Sequence, residues 1–315
     1  MPATMTHQLF AQEIMKEHAF FKDINKDMFK VMMLATQGPD PFFFYGMHPL
    51  KRRKDVNRIQ QIGSFLHHED PAKHLSHLLN HAFAKKDQYQ DIKRHYALGA
   101  LMHYVLDRHV HAYVFSISGF DAEGNLSHPY NVYHSYCETL IDIEIKSYMS
   151  VSSKMLHPKK NIDISKHHTE VIQSLYQETY PNLVLDNDFI HAKEDMVAIY
   201  HTVYDRLGFK RALLKLFLGS NAHAFATSHP RRLSKKEKKI DVLNLKHQSW
   251  LHPEDNSSHQ SSVIDMFLEA KKDMLQLMDQ ILKGDFDLKS YCQNRSYDGM
   301  TIGKKMRYQS LRFPL

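Results

Sequence analysis

Two short runs of sequence place imidazole and carboxylate side chains at helical spacing. The run HYVLDRHVHAY puts His103, Asp107 and His111 at positions i, i+4 and i+8. On an α-helix each four-residue step drifts by only ~40°, so the three side chains share one stripe. The run HSYCE puts His134 and Glu138 one turn apart on a second helix. Imidazole nitrogen and carboxylate oxygen suit zinc, so two such helices packed face to face could close a site for several zinc ions.

The composition produces such pairs by chance as well. The chain has 24 His among 315 residues, and the same spacing recurs at His191 and Asp195 and at His201 and Asp205. A single pair therefore carries little weight. The third residue at His111 and the second helix soon after it distinguish the first run from these repeats.

The helix that carries the first run is hydrophobic on most of its sides, which predicts a central, buried position. Burying His103 and Asp107 there without partners would cost several kcal/mol. Each side chain therefore requires a metal ion or a hydrogen bond. A neutral His paired with Asp inside the core is the alternative to a metal site.

Composition favours an all-α protein of ordinary globular type. Hydrophobic residues make up 43% and charged residues 24% of the chain, with only 11 Gly and 11 Pro to interrupt long helices. We predict one all-helical domain over residues 1–315, with a long loop at 221–262 and a C-terminal helix at 263–283. The formal charge of +6 is compatible with an anionic substrate.

Sequence features relevant to location predict a cytoplasmic protein. The two cysteines, Cys137 and Cys292, make a disulfide framework improbable and fit a reducing compartment. The N-terminal residues lack the pattern of a signal peptide, and no apolar run approaches the ~20 residues that span a bilayer.

Three further side chains outside the two runs could contribute to the chemistry. Asp40 stands between Pro39 and Pro41 and before the run FFFY. The prolines hold it on a non-helical turn, and nearby aromatic rings could tune its basicity, although a simple helix-ending Asp is equally compatible. Asp142, one turn beyond Glu138, could hold the second nitrogen of a ligand histidine. His7 lies in the first turn of a predicted helix, where a surface histidine is the alternative reading.

The two helical runs together resemble the bacterial zinc-dependent phospholipase C family. Relatives of that family include single-strand-specific zinc nucleases with the same all-helical fold. The runs TH, GPDPFFFY, GSFLHHED and DVLNLKHQSWLHP are similar to an uncharacterised, cytoplasmic branch of the family in Gram-positive bacteria. This resemblance spans most of the chain, and only the two helical runs are specific.

The resemblance implies a centre of two to three zinc ions. One zinc would bind His67, His103 and Asp107, with His68 as the alternative to His67. Another would share Asp107 and add His7, together with the N-terminal amine and carbonyl of the processed chain. Because this chain begins Met1-Pro2, that zinc requires removal of the first residue.

The remaining zinc would bind His111, His134 and Glu138. Asp40 matches the family's acid before the aromatic run, which acts as the general base that orients the attacking water. The spacing from Asp107 to His111 is a single helical turn, whereas the family spacing is longer and contains proline.

The implied activity is hydrolysis of a phosphodiester such as a phospholipid head group. A single-strand nuclease or a phosphomonoesterase on the same fold is an alternative, although a nuclease would need aromatic platforms beside the metals, and nucleic acid is the less favoured substrate. A non-catalytic helical protein that zinc merely stabilises is a second alternative.

Overall fold

The structure, a computed structural model, describes residues 4–84, 87–151, 158–205, 209–218, 233–307 and 312. Within these ranges the chain is mostly helical, and its strands amount to one short hairpin. The predicted all-α class is confirmed. No helix in the described ranges is long and apolar enough to cross a bilayer.

The helices follow one another in chain order. They are α1 (Thr4–Glu17), α2 (Lys26–Ala35), α3 (Val56–His68), α4 (Pro71–Ala84), α5 (Gln90–Ser118), α6 (Tyr130–Tyr148), α7 (Pro158–Asn161), α8 (Lys166–Thr179), α9 (Asp188–Val203), α10 (Phe209–Leu218), α11 (Val263–Lys283) and α12 (Leu288–Cys292). Short 3-10 turns occupy Ala19–Phe21, Asp40–Phe44 and Glu237–Lys239. The hairpin pairs β1 (Trp250–Leu251) with β2 (Ser258–His259) in antiparallel register.

Helix α5 is the central element of the fold. It is 29 residues long, and α1, α2, α4, α6, α8 and α11 all pack against it. Its closest neighbour is α2, and a Cβ added at Gly99 would lie 2.4 Å from the Cβ of Ala35. Glycine is therefore required where these two helix backbones meet. The burial of α5 on nearly all sides agrees with its apolar sequence.

Helix α6 packs against both α5 and α1. Its buried side includes His134, Glu138 and Asp142 together with apolar residues such as Ile141 and Ile145. This packing turns the polar stripe of α6 towards the polar stripe of α5, so the two helical runs meet inside the bundle.

The predicted long loop at 221–262 is only partly within the described residues, because 221–232 lie outside them. From residue 233 onwards it contains the Glu237–Lys239 turn and the β1–β2 hairpin. The Trp250 ring packs on Tyr113 of α5, with centroids 5.4 Å apart. Helix α11 then begins with a capping box between Ser262 and Asp265, and the shorter α12 follows it.

Candidate metal centre

The facing stripes of α5 and α6 bring five of the predicted ligands together. On α5, His103 Nε2 lies 3.2 Å from Asp107 Oδ2. On α6, His134 Nε2 lies 3.0 Å from Glu138 Oε1. Between the helices, His111 Nε2 lies 3.3 Å from the same Glu138 oxygen. All five side chains are at most 5% exposed, so the cluster lies inside the bundle.

Helix α1 adds His7 to this cluster. Its Nε2 lies 3.1 Å from Asp107 Oδ1, and its ring stacks on His103 with centroids 4.4 Å apart. His7 is 1% exposed, so the alternative of a surface histidine is wrong. Asp107 thus faces imidazoles from its own helix and from α1.

Asp142 has a different role from the one expected. The prediction was that it holds the second nitrogen of a ligand histidine. Instead, its carboxylate accepts the backbone N–H groups of Met5 and Thr6, each at 2.8 Å, and the Thr6 hydroxyl. The first N–H groups of a helix have no partner within the helix, and a carboxylate there is also favoured by the helix dipole. Asp142 therefore caps α1 from another helix and fixes the turn that carries His7.

Asp40 and His67 form the other end of the cluster. Asp40 begins the turn Asp40–Phe44, is 1% exposed, and places its Oδ1 3.2 Å from His67 Nε2. His67 comes from the last turn of α3. The neighbouring His68 is largely exposed and its Nδ1 lies 2.7 Å from the Ser64 carbonyl oxygen. Of the two candidates, His67 is the one whose ring enters the cluster.

In each of these histidines except His7, the Nδ1 atom lies within hydrogen-bond distance of an oxygen. The Nδ1 contacts are His67 to the Gly63 carbonyl at 2.8 Å, His103 to the Thr36 carbonyl at 3.0 Å, His111 to the Tyr297 carbonyl at 3.0 Å and His134 to the Ser118 hydroxyl at 3.4 Å. A carbonyl only accepts, so in the first three rings Nδ1 carries the proton. Metal-ligating histidines are oriented in this way.

This tautomer leaves Nε2 of a neutral ring with a bare lone pair that faces a carboxylate oxygen. Burial lowers the pKa of His103 to about 4, so at neutral pH its ring is not doubly protonated. His103 Nε2 and Asp107 Oδ2 are then two acceptors 3.2 Å apart. Two facing acceptors repel each other, and a cation between them converts the repulsion into coordination.

Several buried atoms of the cluster have no hydrogen-bond partner among the described residues. They are His7 Nδ1 and Nε2, Asp40 Oδ1, His103 Nε2, and both Asp107 oxygens. Each unpaired buried polar atom costs about 1–3 kcal/mol, and more when it is charged. Because several such atoms lie within one cluster, the cluster requires a ligand. The nitrogens and oxygens of the cluster are the donors that zinc takes, and the residues therefore fit a metal ion.

The electrostatics also favour cations inside the cluster. Burial alone would raise the pKa of Asp107, but the surrounding imidazoles of His103, His111 and His7 lower it well below its ordinary value. Burial acts to lower the pKa of His111, and Asp107 and Glu138 overcome this effect and raise it to about 9. Asp107 therefore stays ionised and attracts positive charge.

Three groups of side chains bring their ligand atoms within 4.8 Å of one another. They are His7, His103 and Asp107; Asp40, His67 and His103; and His111, His134 and Glu138. The last group has the composition expected for one zinc. In the Asp40 group, Asp40 occupies the place that the resemblance gave to Asp107 beside His67 and His103. His103 belongs to two of the groups, and His111 Nδ1 of the remaining group lies 3.6 Å from Asp107 Oδ2, so the three groups form one continuous cluster.

Sequence reasoning missed Gly38 and the Tyr297 segment. Gly38 has φ +51°, and a Cβ there would lie 2.4 Å from His103 Cδ2, so glycine makes room for the ring. The run GPDP signalled a turn at this place but not its contact. The Tyr297 ring packs on His67 with centroids 4.8 Å apart, and its backbone orients His111. No local pattern announces a contact made by a loop 186 residues away.

The repeated His/Asp pairs on α9 and after it are not part of the cluster. The Asp195 carboxylate accepts hydrogen bonds from Arg53 and from the Gly46 backbone. His201 is exposed, and no metal-capable group among the described residues includes it or Asp205. Helical spacing alone does not identify a ligand pair.

Comparisons with models of known protein families, with curated proteins and with solved structures found no match. The resemblance to zinc-dependent phospholipase C therefore rests on the sequence runs given above.

Proposed function

We propose that the protein is a zinc-dependent phosphoester hydrolase of the phospholipase C type. The observation that carries the proposal is the continuous cluster in which His103 joins two metal-capable groups and Asp107 contacts the histidines of α1 and α5. A structural zinc site usually closes with four ligands, whereas this cluster offers eight side chains. A chain that only needed a metal for stability would not require so many.

The charge of the cluster supports a phosphate-binding role. Its carboxylates are Asp40, Asp107 and Glu138, and its imidazoles are neutral when they bind metal through Nε2. Two or three divalent ions would outweigh three carboxylates and leave the centre positive. A positive centre buried in a helical bundle attracts a phosphate anion strongly, because the surrounding dielectric is low.

Bound zinc ions would neutralise the phosphate oxygens and lower the pKa of a bound water towards ~7. The residues of the chain supply the rest. The Gly63, Thr36 and Tyr297 carbonyls keep the ligand rings in one orientation. The rings of Phe43 and Tyr297 pack against His67, with centroids 5.2 and 4.8 Å away, and restrict the orientation of its ring.

Asp40 is the carboxylate that would accept the proton of the attacking water. Its Oδ1 is buried, has no hydrogen-bond donor among the residues that the structure describes, and lies beside His67. The same position makes it able to bind a metal ion, and a carboxylate at the edge of a cluster can do both. His67, with a side chain 12% exposed, is the most exposed of the cluster residues, so a phosphoester would approach from its side.

The burial of the cluster favours a second candidate function, a metal centre that only stabilises the fold. Apart from His67, the cluster residues are at most 5% exposed, and structural zinc sites are closed in this way. The two functions make opposite predictions for turnover and the same prediction for metal content.

The test is to measure zinc by elemental analysis and the hydrolysis of bis(p-nitrophenyl) phosphate in the same preparations. We expect two to three zinc ions per chain and measurable turnover in the wild type. Asp107→Asn, which preserves the volume of the side chain, should lose at least one ion and most of the activity. Less than one ion per chain would refute the metal centre, and full zinc content without turnover on any phosphoester would favour the structural function.

A matched control lies on the same helix. His109 contacts the Val105 carbonyl through Nδ1 and Asp273 through Nε2 at 3.3 Å, and it belongs to none of the metal-capable groups among the described residues. His109→Ala should leave both zinc content and turnover unchanged. Parallel assays with phospholipids, single-stranded DNA and phosphomonoesters then identify the substrate class.

A further inference from the structure

Helix α10 has a composition that sets it apart from a core helix. Its sequence, FKRALLKLFL, contains three basic residues, no acidic residue and seven apolar ones. At 100° per residue, Phe209, Ala212, Leu213, Leu216 and Phe217 fall within an arc of about 140°. The helix is therefore amphipathic, with an apolar face and positive charge elsewhere.

The apolar face of α10 points away from the core. Phe209 is 74% exposed, Leu213 58%, Leu216 79% and Phe217 75%. Single exposed apolar residues are normal on a protein surface, but four large ones at spacings i, i+4, i+7 and i+8 form a contiguous patch. A contiguous patch of this kind indicates a binding surface.

A second segment combines exposed apolar and basic side chains. In the connection between Asp40–Phe44 and α3, Leu50 is 90% exposed and Met47 50% exposed. Lys51, Arg52 and Lys54 follow and are exposed as well. The run from residue 46 to residue 54 contains no acidic residue.

Both segments contact the same helix, α9. Lys51 pairs with Glu194, and Lys210 Nζ donates to the Thr202 carbonyl at 2.6 Å. Glu194 and Thr202 are eight residues apart, which corresponds to about 12 Å along the helix and about 80° around it. The connection 46–54 and helix α10 are thus neighbours on one side of the molecule. We call them together the basic apolar surface.

We propose that the basic apolar surface docks the protein onto an anionic lipid bilayer. Helices that lie in a membrane interface have Phe and Leu on one face and Lys or Arg on the other, as α10 does. Each basic residue near an anionic membrane contributes about 1 kcal/mol to binding. The sequence of α10 contains three basic residues, and the connection 46–54 adds Arg52 and Lys54, whereas its Lys51 and Arg53 pair with Glu194. The apolar side chains enter the boundary between head groups and acyl chains, where their burial adds to this attraction.

Charge decides between a bilayer and a second copy of the chain. A symmetric dimer through this surface would bring Arg52, Lys54 and the basic residues of α10 of both copies together, and neither segment contains an acidic residue. An anionic bilayer instead supplies the opposite charge and an apolar layer beneath it. The bilayer is therefore the occupant that fits both properties of the surface.

The experiment is sedimentation of the full-length protein with vesicles. We expect it to bind vesicles containing about one third phosphatidylglycerol at least tenfold more tightly than vesicles of phosphatidylcholine alone, and less tightly as salt is raised. Leu216→Glu/Phe217→Glu should weaken binding to the anionic vesicles about tenfold or more. Arg52→Glu/Lys54→Glu should remove most of the anionic preference.

Leu268→Glu is the matched control. Leu268 lies on α11 and is 54% exposed, close to the exposure of Leu213, but it is outside the basic apolar surface. It should leave vesicle binding unchanged. Equal loss in this control, unchanged binding in Leu216→Glu/Phe217→Glu, or no preference for anionic lipid would overturn the proposal.

Light scattering in the absence of lipid tests whether a second copy of the chain occupies the surface instead. A wild-type dimer that becomes a monomer in Leu216→Glu/Phe217→Glu would assign the surface to a second copy and overturn the bilayer. Docking requires no metal, so vesicle binding by Asp107→Asn should equal that of the wild type. A failure of the hydrolase proposal is thereby distinguished from a failure of the docking proposal.

Discussion

The Asp142 carboxylate accepts the backbone N–H of Thr6 at 2.8 Å, although 136 positions separate the two residues in sequence. Asp142 is on α6, whose other buried side chains include two of the candidate metal ligands. Thr6 immediately precedes His7. One carboxylate therefore couples the start of α1 to the helix that forms the opposite side of the cluster, and the position of His7 depends on it.

Removing this cap should weaken both the fold and the cluster. Asp142→Ala leaves the buried N–H groups of Met5 and Thr6 without their acceptor, and we expect the free energy of unfolding to fall by about 2–4 kcal/mol. Zinc content should also fall, because His7 loses its fixed position. Urea denaturation and elemental analysis measure the two effects.

A surface acid on another helix provides the comparison for Asp142. Glu170 on α8 pairs only loosely with Lys166, at 3.6 Å, with side chains 48% and 87% exposed. Glu170→Ala should change the free energy of unfolding by less than about 0.5 kcal/mol. If Asp142→Ala behaved like Glu170→Ala, the capping role of Asp142 would be wrong.

Gly38 should tolerate no side chain. Its φ of +51° already disfavours an L-residue, and a Cβ would meet His103 Cδ2 at 2.4 Å. We expect Gly38→Ala to cost about 1–2 kcal/mol from the backbone and more from displacement of the ring, and to reduce zinc content. Thermal unfolding and elemental analysis report both.

Gly284 is the control that separates the cost of a positive φ from the cost of the clash with His103. Its φ is +73°, and a Cβ there would have nothing within 4 Å. Gly284→Ala should therefore show only the backbone cost and retain the full zinc content. Equal zinc content in Gly38→Ala and Gly284→Ala would contradict the contact between Gly38 and His103.

Metal removal should destabilise the wild type strongly. A ligand that binds only the folded state adds RT ln(1 + [L]/Kd) to its stability, about 4 kcal/mol at a thousandfold excess over Kd. A chelator should therefore lower the Tm of the wild type, and added zinc should restore it. In Asp107→Asn the chelator should produce a much smaller shift. A wild-type Tm that a chelator leaves unchanged in a zinc-containing preparation would refute metal binding by the folded cluster.

The sequence could predict those parts of the cluster that a helix brings together by itself. His103 and Asp107 on α5, and His134 and Glu138 on α6, lie one turn apart, so the helical repeat alone aligns them. Their burial followed from the apolar sequence around them. The helical repeat cannot tell which of several His/acid pairs faces a metal-binding partner. The pair His191 and Asp195 has the same spacing, yet Asp195 forms an ion pair with Arg53.

Contacts between distant segments could not be predicted in this way. Asp142 lies one turn beyond Glu138 on α6, which is the position expected for a residue that orients a metal ligand. Only the packing of α1 against α6 shows that it caps α1 instead. Likewise, the Tyr297 carbonyl reaches His111 because a C-terminal loop returns to α5. His7 was indicated by the family resemblance and not by any pattern of its own.

Acid should weaken the ion pairs between the connection 46–54 and α9. Burial would raise the pKa of Glu194, but Lys51 and Arg53 lower it to about 2. A lowered carboxyl pKa stabilises the fold above the ordinary value near 4.5, and this contribution is lost as the pH falls towards 2. Because Glu194 is 40% exposed, solvent screening keeps the effect within about 1 kcal/mol. The stability difference between wild type and Glu194→Gln should therefore be present at pH 7 and vanish near pH 2; a difference that does not depend on pH would contradict the ion pair.

Substitution of Asp40 tests whether this residue acts as a metal ligand, as the general base, or as both. Its Oδ1 lies 3.2 Å from His67 Nε2 within a metal-capable group, so Asp40→Asn should lower zinc content by up to one ion and turnover by at least a hundredfold. The amide keeps the size of the side chain but binds metal weakly and cannot take a proton at neutral pH. Elemental analysis beside a phosphodiester assay separates the two roles. Full zinc content with lost turnover would assign Asp40 as the general base alone, and unchanged turnover would remove it from the reaction, because neither a ligand nor a base at this position is dispensable.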